Sequence, residues 1–376
     1  MKNSKNAFDR LEWAGAFGDL GTLLPFVIGY IAILGLNPFG VLVSFGIFLI
    51  ASGLFYKTPI PVQPMKALGG AAIAQASVIT PGMVWGAGLF TGVFWIVLGL
   101  SGALKFVSKI ASKPVIRGIV LGLGISFIIK GTGFMREDLL IGFIALLLTF
   151  LLLSNKRIPA MFVLVIFGVA ATIIRNPAIM QEFSAIRPGF YIPPFALREL
   201  TLQDLTSGIL ILALAQIPLT LGNAVIATTA ENNRLFPERP VTEKKLATTT
   251  GLMNIVSPFL GGVPMCHGAG GILAHNRFGA RTGGAVIIIG TILLVLGLFF
   301  SDSVLLLLSM IPASVLGVIL FFAGLELAMA ARDVGPEKND FYILIIAAGF
   351  SIWNVGIGFL AGLIAQEMIK RNIFKF

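Results

Sequence analysis

The sequence predicts an all-α integral membrane protein of fourteen transmembrane segments. They form a 7+7 inverted repeat, with the third and tenth segments broken into a short extended piece and a half-helix. Three observations carry this. Of 376 residues, 57% are hydrophobic and only 12% charged, whereas soluble proteins carry roughly 25% charged residues. Short matches then recur between the halves: PMKALGGAAIAQ (64–75) and PMCHGAGGILAH (264–275) share Pro64/Pro264, Met65/Met265, Gly70/Gly270 and Ala74/Ala274 at offset 200. Thr22/Thr220, VLGL at 97 and 295, and Pro114/Pro312 repeat at offset 198. Finally, seven crossings per half is odd, so the halves must be inverted. With the N-terminus cytoplasmic, 21 of the 27 basic residues fall inside, 5 outside, and Lys66 within the membrane, the asymmetry that cytoplasmic loops show. The formal charge of +10 therefore reads as inner-face charge, and no nucleic-acid partner is expected.

In chain order, residues 8–36 form the first segment, opened by EWAGAFGDLGTLLP, and 41–56 the second. Close glycine spacing in both suits helices that approach tightly. KTPIPVQP (57–64) holds three prolines in its last six residues. Proline fixes φ and lacks an amide proton, so this piece is extended, and a half-helix starts at Pro64 or Met65. Extended backbone at membrane depth is tolerated only against protein or a water-filled cavity, which directs it inward. The fourth segment covers 83–104, and KFVSKIASK (105–113) follows as an amphipathic surface helix, with Lys105, Lys109 and Lys113 on one side. Segments five to seven occupy 114–130, 139–153 and 158–174. A proline-rich linker covers 176–203, so the repeats span 1–175 and 204–376. In the second repeat the eighth segment is 205–230 and the ninth 248–260. The tenth lies within VPMCHGAGGILAHNRFGARTGG (263–284) and the eleventh at 285–300. The twelfth starts at Pro312, and 341–352 and 355–369 complete the count.

Two interrupted hydrophobic segments in corresponding halves point to a transporter's binding site. Each half-helix N-terminus offers unpaired amides and partial positive charge, a ready anion site. The expected donors are the amides of Met65, Lys66 and Ala67 and those of Cys266, His267 and Gly268, with Lys66 adding a full charge. Asp19, Thr22, Gln216, Thr220 and Asn223 cover the site from the first and eighth segments. An ionised Asp19 cannot donate to an anion, so it binds a proton or orients a neighbour. Structural alternatives stand beside these roles: Lys66 could snorkel to the inner face, Asp19 could cap a helix end, and His267 could satisfy a nearby carbonyl. The single cysteine and two histidines argue against a metal site, and no cofactor is expected. HGAGG lacks an accompanying G-x-S-x-G elbow, and no G-x-x-x-x-G-K-[ST] occurs, so neither an esterase nor a nucleotide-driven engine is indicated.

FGDLGTLLP (17–25), PVQPMKALGGAAIA (61–74) and above all CHGAGGILAHNRFGARTGG (266–284) resemble the molybdate transporter family, a branch of the sulfate permease superfamily. The resemblance covers essentially the whole chain. It implies a core domain of segments one to four and eight to eleven (11–112 and 204–311) and a gate domain of the rest (113–175 and 312–376). It also implies a tetrahedral oxyanion as substrate, molybdate first and sulfate or tungstate next. Family motifs carry over onto Asp19, Gln63, Pro64, Met65, Lys66, Cys266 and His267. The wider superfamily's STAS domain has no counterpart after Phe376, as in the molybdate branch. The expected activity is secondary active uptake by alternating access across the plasma membrane, both termini cytoplasmic. A coupling proton and a second copy in a homodimer are further candidate partners. Same-fold sulfate or broad oxyanion carriage and an anion channel are the alternatives.

Overall fold

The computed structural model describes residues 5–104, 112–152, 160–184, 187–190, 195–371 and 373. The loop at 154–157 lies outside them, as do most of the expected amphipathic helix at 105–113 and parts of the 176–203 linker. The protein is mostly helical. Among the described residues five helices are long and apolar enough to cross a membrane, and seven if two bent pairs each count as one span.

Sequence chemistry sets the helix ends. Asn37 caps Pro38–Tyr56, its Oδ1 accepting from the Phe39 amide at 2.9 Å, and Thr80 caps Pro81–Ser101 through the Met83 amide at 3.1 Å. Both place proline in the first turn, where a missing N–H leaves nothing unpaired. The first segment is two helices, Arg10–Ala16 and Leu20–Ile33, bent by 43°; Asp19 lies in the break. Further on, the Leu34 amide reaches back to Gly29 O at 3.0 Å, a widened turn of the kind frequent at functional sites. Leu202–Leu235 runs continuously with similar widened turns at Gly208–Ala213 and Thr220–Ala227. Gly284–Phe299 is followed after a 98° bend by Ser301–Leu308, a short helix at the polar SDS break. Ile179–Ser184 and Ala196–Glu199 add short helical turns in the linker.

Packing is reciprocal. Pro38–Tyr56 packs along Gly284–Phe299, and Pro81–Ser101 along Glu243–Phe259. Lys113–Met135 packs on Ala313–Met329. There a Cβ on Gly124 would fall 2.6 Å from Gly324 O, and one on Gly324 2.5 Å from Gly124 O. The two backbones touch because neither side has a side chain.

Two short strands lie at the centre. β1 (Gln63–Pro64) pairs antiparallel with β2 (Met265–Cys266), Gln63 opposite Cys266 and Pro64 opposite Met265. The nine-residue helix Lys66–Ala74 follows β1, and the nine-residue helix Ala269–Arg277 follows β2. Both strands are fully buried, and the Met65 amide donates to Pro264 O at 3.1 Å.

Candidate functional site

Antiparallel pairing brings the starts of the two short helices together. Proline and glycine keep the approach extended, so each helix begins with amides that its own turns cannot use. On the Lys66–Ala74 side those amides already hold an oxygen: Gln216 Oε1 accepts from Ala67 N at 2.8 Å and Leu68 N at 3.1 Å. Gln216 is itself fixed by donating from Nε2 to Thr220 Oγ1 at 2.8 Å. Of the three donors expected here, Met65 N–H is spent on the strand pair and Ala67 N–H on Gln216. Lys66 N–H is the third.

Asp19 enters from the break in the first segment. Gln63 Nε2 donates to both its carboxylate oxygens, at 2.9 and 2.7 Å. Gln63 Oε1 is buried with no hydrogen-bond partner among the described residues. Thr22, Lys66 and His275 are the other groups acting on Asp19, and Lys66 acts on Cys266 as well. Lys66, at the first position of the helix after β1, is half-buried. Gly268 and Gly271 make this packing feasible. A Cβ on Gly268 would overlap Gln63 Oε1, and one on Gly271 would sit 2.5 Å from Gln63 Nε2 and 2.6 Å from Asp19 Oδ2. Gly270, by contrast, is exposed with open space around it.

His267 is 1% exposed. Its Nδ1 lies 2.9 Å from Pro61 O; a carbonyl only accepts, so Nδ1 carries a hydrogen. Its Nε2 lies 2.8 Å from Thr249 Oγ1, and its ring meets Tyr56 edge-on at 5.5 Å. Met65, Ala67, Gln63, Gln216, Thr220, Cys266 and Gly268 are all buried. Asn223 is half-buried and takes part through its carbonyl, which accepts from Thr228 Oγ1 at 2.9 Å. The structure thus gathers Asp19, Thr22, Gln63, Lys66 and the strand residues, with Gln216 and Thr220 on one helix end, while Asn223 lies one helical turn further on.

Several supporting residues are not evident from sequence reasoning. Asn254 clamps β2, donating from Nδ2 to Met265 O at 2.7 Å and accepting from Met265 N at 2.9 Å. Its one signal is a lone amide side chain in an apolar helix. Glu12 is 2% exposed and accepts from the amides of Arg281, Thr282 and Ala285 at 2.9, 2.8 and 3.0 Å. It ties the start of the first segment to the RTGG turn. The negative C-terminal ends of both short helices carry cations, as helix dipoles favour: Lys130 Nζ donates to Ile73 O at 2.6 Å and Arg281 to Asn276 O at 2.8 Å. Tyr30, on the widened turn, buries a hydroxyl without a partner among the described residues.

Known proteins share this outline. A family model described as "Molybdate transporter of MFS superfamily" matches residues 11–127 and 208–327, which include both strands and every site residue named above from the two helix ends. Molybdate transporter 2 of Arabidopsis thaliana is 31% identical over 96% of this chain and 87% of its own. Molybdate transporter 1 of Chlamydomonas reinhardtii is 28% identical over 98% of this chain and 93% of its own. Among solved structures, the transmembrane domain of the cyanobacterial bicarbonate transporter BicA superposes with a TM-score of 0.65 at 18% identity, covering 95% of this chain and 96% of that one. SLC26A9 superposes with a TM-score of 0.70 at 14% identity, covering 97% and 66%. These last two show the fold that the chain shares with them. The family match and the identity over nearly the whole chain place the protein in the molybdate transporter family.

Proposed function

We propose that the protein is a secondary active transporter that takes up molybdate, held between the N-termini of Lys66–Ala74 and Ala269–Arg277. The observation that carries this is the Gln216 oxygen seated on the Ala67 and Leu68 amides: this helix end binds an oxygen acceptor. A tetrahedral dianion presents four such oxygens. In this reading Lys66 and the amides beyond β2 face the same anion, giving both the donors and part of the compensating charge a dianion requires. Gln216 then either yields its position to the anion or holds the helix end beside it.

Fourteen segments in inverted repeats would make the two strand–helix units symmetry mates, and the reciprocal packing described above supports that. A core domain of 11–112 and 204–311 would move against a gate domain of 113–175 and 312–376, exposing the anion to one side at a time. The basic-residue distribution supports cytoplasmic termini in a plasma membrane. Moving each charge against the membrane potential costs about 2.3 kcal/mol per 100 mV, so a dianion costs about twice that. Uptake therefore needs a co-transported cation, and the proton is the candidate that buried titratable side chains can carry.

Tracer molybdate uptake into proteoliposomes tests the proposal. Saturable uptake competed by tungstate supports it. Sulfate transported in preference would keep a carrier of the same fold with another substrate, and unsaturable conduction with measurable currents would make it a channel.

A further inference from the structure

The hydrogen bonding of the His267 imidazole does not end at Thr249. Thr249 Oγ1 lies 2.6 Å from the Tyr56 hydroxyl, and it reaches Lys245 O at 3.0 Å and Leu246 O at 3.2 Å within its own helix. Tyr56 also reaches Lys245 O at 3.4 Å. The series runs from a residue 1% exposed, through a half-buried threonine, to the exposed end of Glu243–Phe259. Both side chains after the ring are hydroxyls, which can donate and accept at once.

This network is satisfied in both charge states of the ring without moving a heavy atom. With His267 neutral, Nδ1–H donates to Pro61 O, Thr249 O–H donates to Nε2, and Tyr56 O–H donates to Thr249 Oγ1. With His267 protonated, Nε2–H donates to Thr249 Oγ1, and the threonine hydrogen turns to the Lys245 or Leu246 carbonyl. The phenol hydrogen then turns to Lys245 O. A buried polar group normally loses a partner when its charge changes, at a cost of about 1–3 kcal/mol. Here it does not.

The groups that face the ring come from several elements. Its neighbours are Tyr56 on Pro38–Tyr56, the backbone of Pro61, Cys266 beside it in β2, and Thr249 on Glu243–Phe259, whose exposed end carries Glu243, Lys244 and Lys245. Asp19 interacts with His275 and Lys66, and Lys66 with Cys266. Among the described residues neither Asp19 nor any ammonium group is hydrogen-bonded to the ring, whose partners are Pro61 and Thr249.

We propose that His267 carries the co-transported proton, and that Thr249 and Tyr56 form its exit to the face bearing Lys245. The inference rests on the transport reading above and adds the coupling ion and its route. Release begins with the threonine hydroxyl turning from the carbonyl to Tyr56 Oη; the Nε2 proton then moves to Thr249 Oγ1 while the threonine hydrogen passes to Tyr56 Oη. The phenol hydrogen then leaves for water at the Lys245 end. Each hydroxyl gains one proton and loses one, and nothing is oxidised or reduced.

The test uses the full chain in proteoliposomes with a lumenal pH dye, reading molybdate-driven proton entry and tracer molybdate exchange in parallel. Wild type should do both. Thr249→Val, which keeps the shape and removes the hydroxyl, should slow proton entry at least about tenfold and keep exchange within about twofold. Thr249→Ser should restore it, and Tyr56→Phe should reproduce the valine defect. Wild-type exchange with no proton entry would overturn the coupling inference and leave the transport reading standing. Equal proton entry in wild type, Thr249→Val and Tyr56→Phe would overturn the route. The absence of both signals in wild type would overturn the transport reading, and the inference with it.

Discussion

Replacing Asn254 by leucine tests whether the spacing of the two helix ends depends on the clamp beneath β2. The side chain is fully buried and both donates to and accepts from Met265, at 2.7 and 2.9 Å. Leucine matches its shape but forms neither bond, leaving a buried N–H and a buried C=O unpaired. Each orphaned group costs about 1–3 kcal/mol, so the variant should lose about 2–6 kcal/mol. Denaturant titration in mixed micelles, followed by tryptophan fluorescence, measures this. Thr291→Val is the control, because among the described residues that exposed hydroxyl bonds only to Ile287 O in its own helix, and it should change stability by less than about 0.5 kcal/mol. Loosening β2 also frees Cys266, His267 and Gly268 to drift from Lys66–Ala74. The concentration of molybdate giving half-maximal stabilisation should rise about tenfold, a loss of about 1.4 kcal/mol in binding. If Asn254→Leu behaves like Thr291→Val in both measurements, the strand pair is not what sets the site.

Three further substitutions probe the charges and close contacts around the same strands. Lys66→Ala should weaken oxyanion binding by about 10- to 150-fold, the worth of one charged hydrogen bond of about 1.5–3 kcal/mol, while Lys57→Ala, outside the site, should not; isothermal titration with both variants decides. Gly268→Ala forces a methyl group onto Gln63 Oε1, so it should abolish binding while far-ultraviolet circular dichroism stays helical. Lys130→Met leaves Ile73 O without its cation and should lower stability by about 1–3 kcal/mol, read from the same micelle titration.

Much of this is legible in the sequence because prolines and glycines announce themselves. Pro59, Pro61 and Pro64 forbid a helix before Met65, and CHGAGG delays one after Cys266, so residue types alone locate both strand–helix units. The matches at offset 200 set the two stretches side by side, and β1 pairs with β2. What residue types do not encode are pairings between distant residues. Nothing in the string GLMNIVS says that Asn254 bonds Met265, or that Glu12 reaches the amides of Arg281, Thr282 and Ala285. Such bonds depend on how helices pack, and helix periodicity gives a face but no partner. Gln216 shows the same limit. Its place near the site is expected from the repeat, yet its oxygen on the Ala67 and Leu68 amides follows from the register between two helices almost 150 residues apart in sequence. The bend at Asp19 is likewise hidden, since GDLG sits inside an otherwise continuous apolar segment.

If the paired helix ends bind a tetrahedral oxyanion, the purified protein must gain thermal stability when the right anion is added. Molybdate, tungstate, sulfate, phosphate and uracil are compared at matched concentrations and ionic strength. A ligand that binds only the folded state raises its apparent stability; at one hundred times its Kd the gain is about 2.7 kcal/mol. Molybdate and tungstate should stabilise the wild-type protein, and Lys66→Ala should remove the effect. Stabilisation by uracil alone, or by oxyanions equally in wild type and Lys66→Ala, would mean that these helix ends are not the oxyanion site.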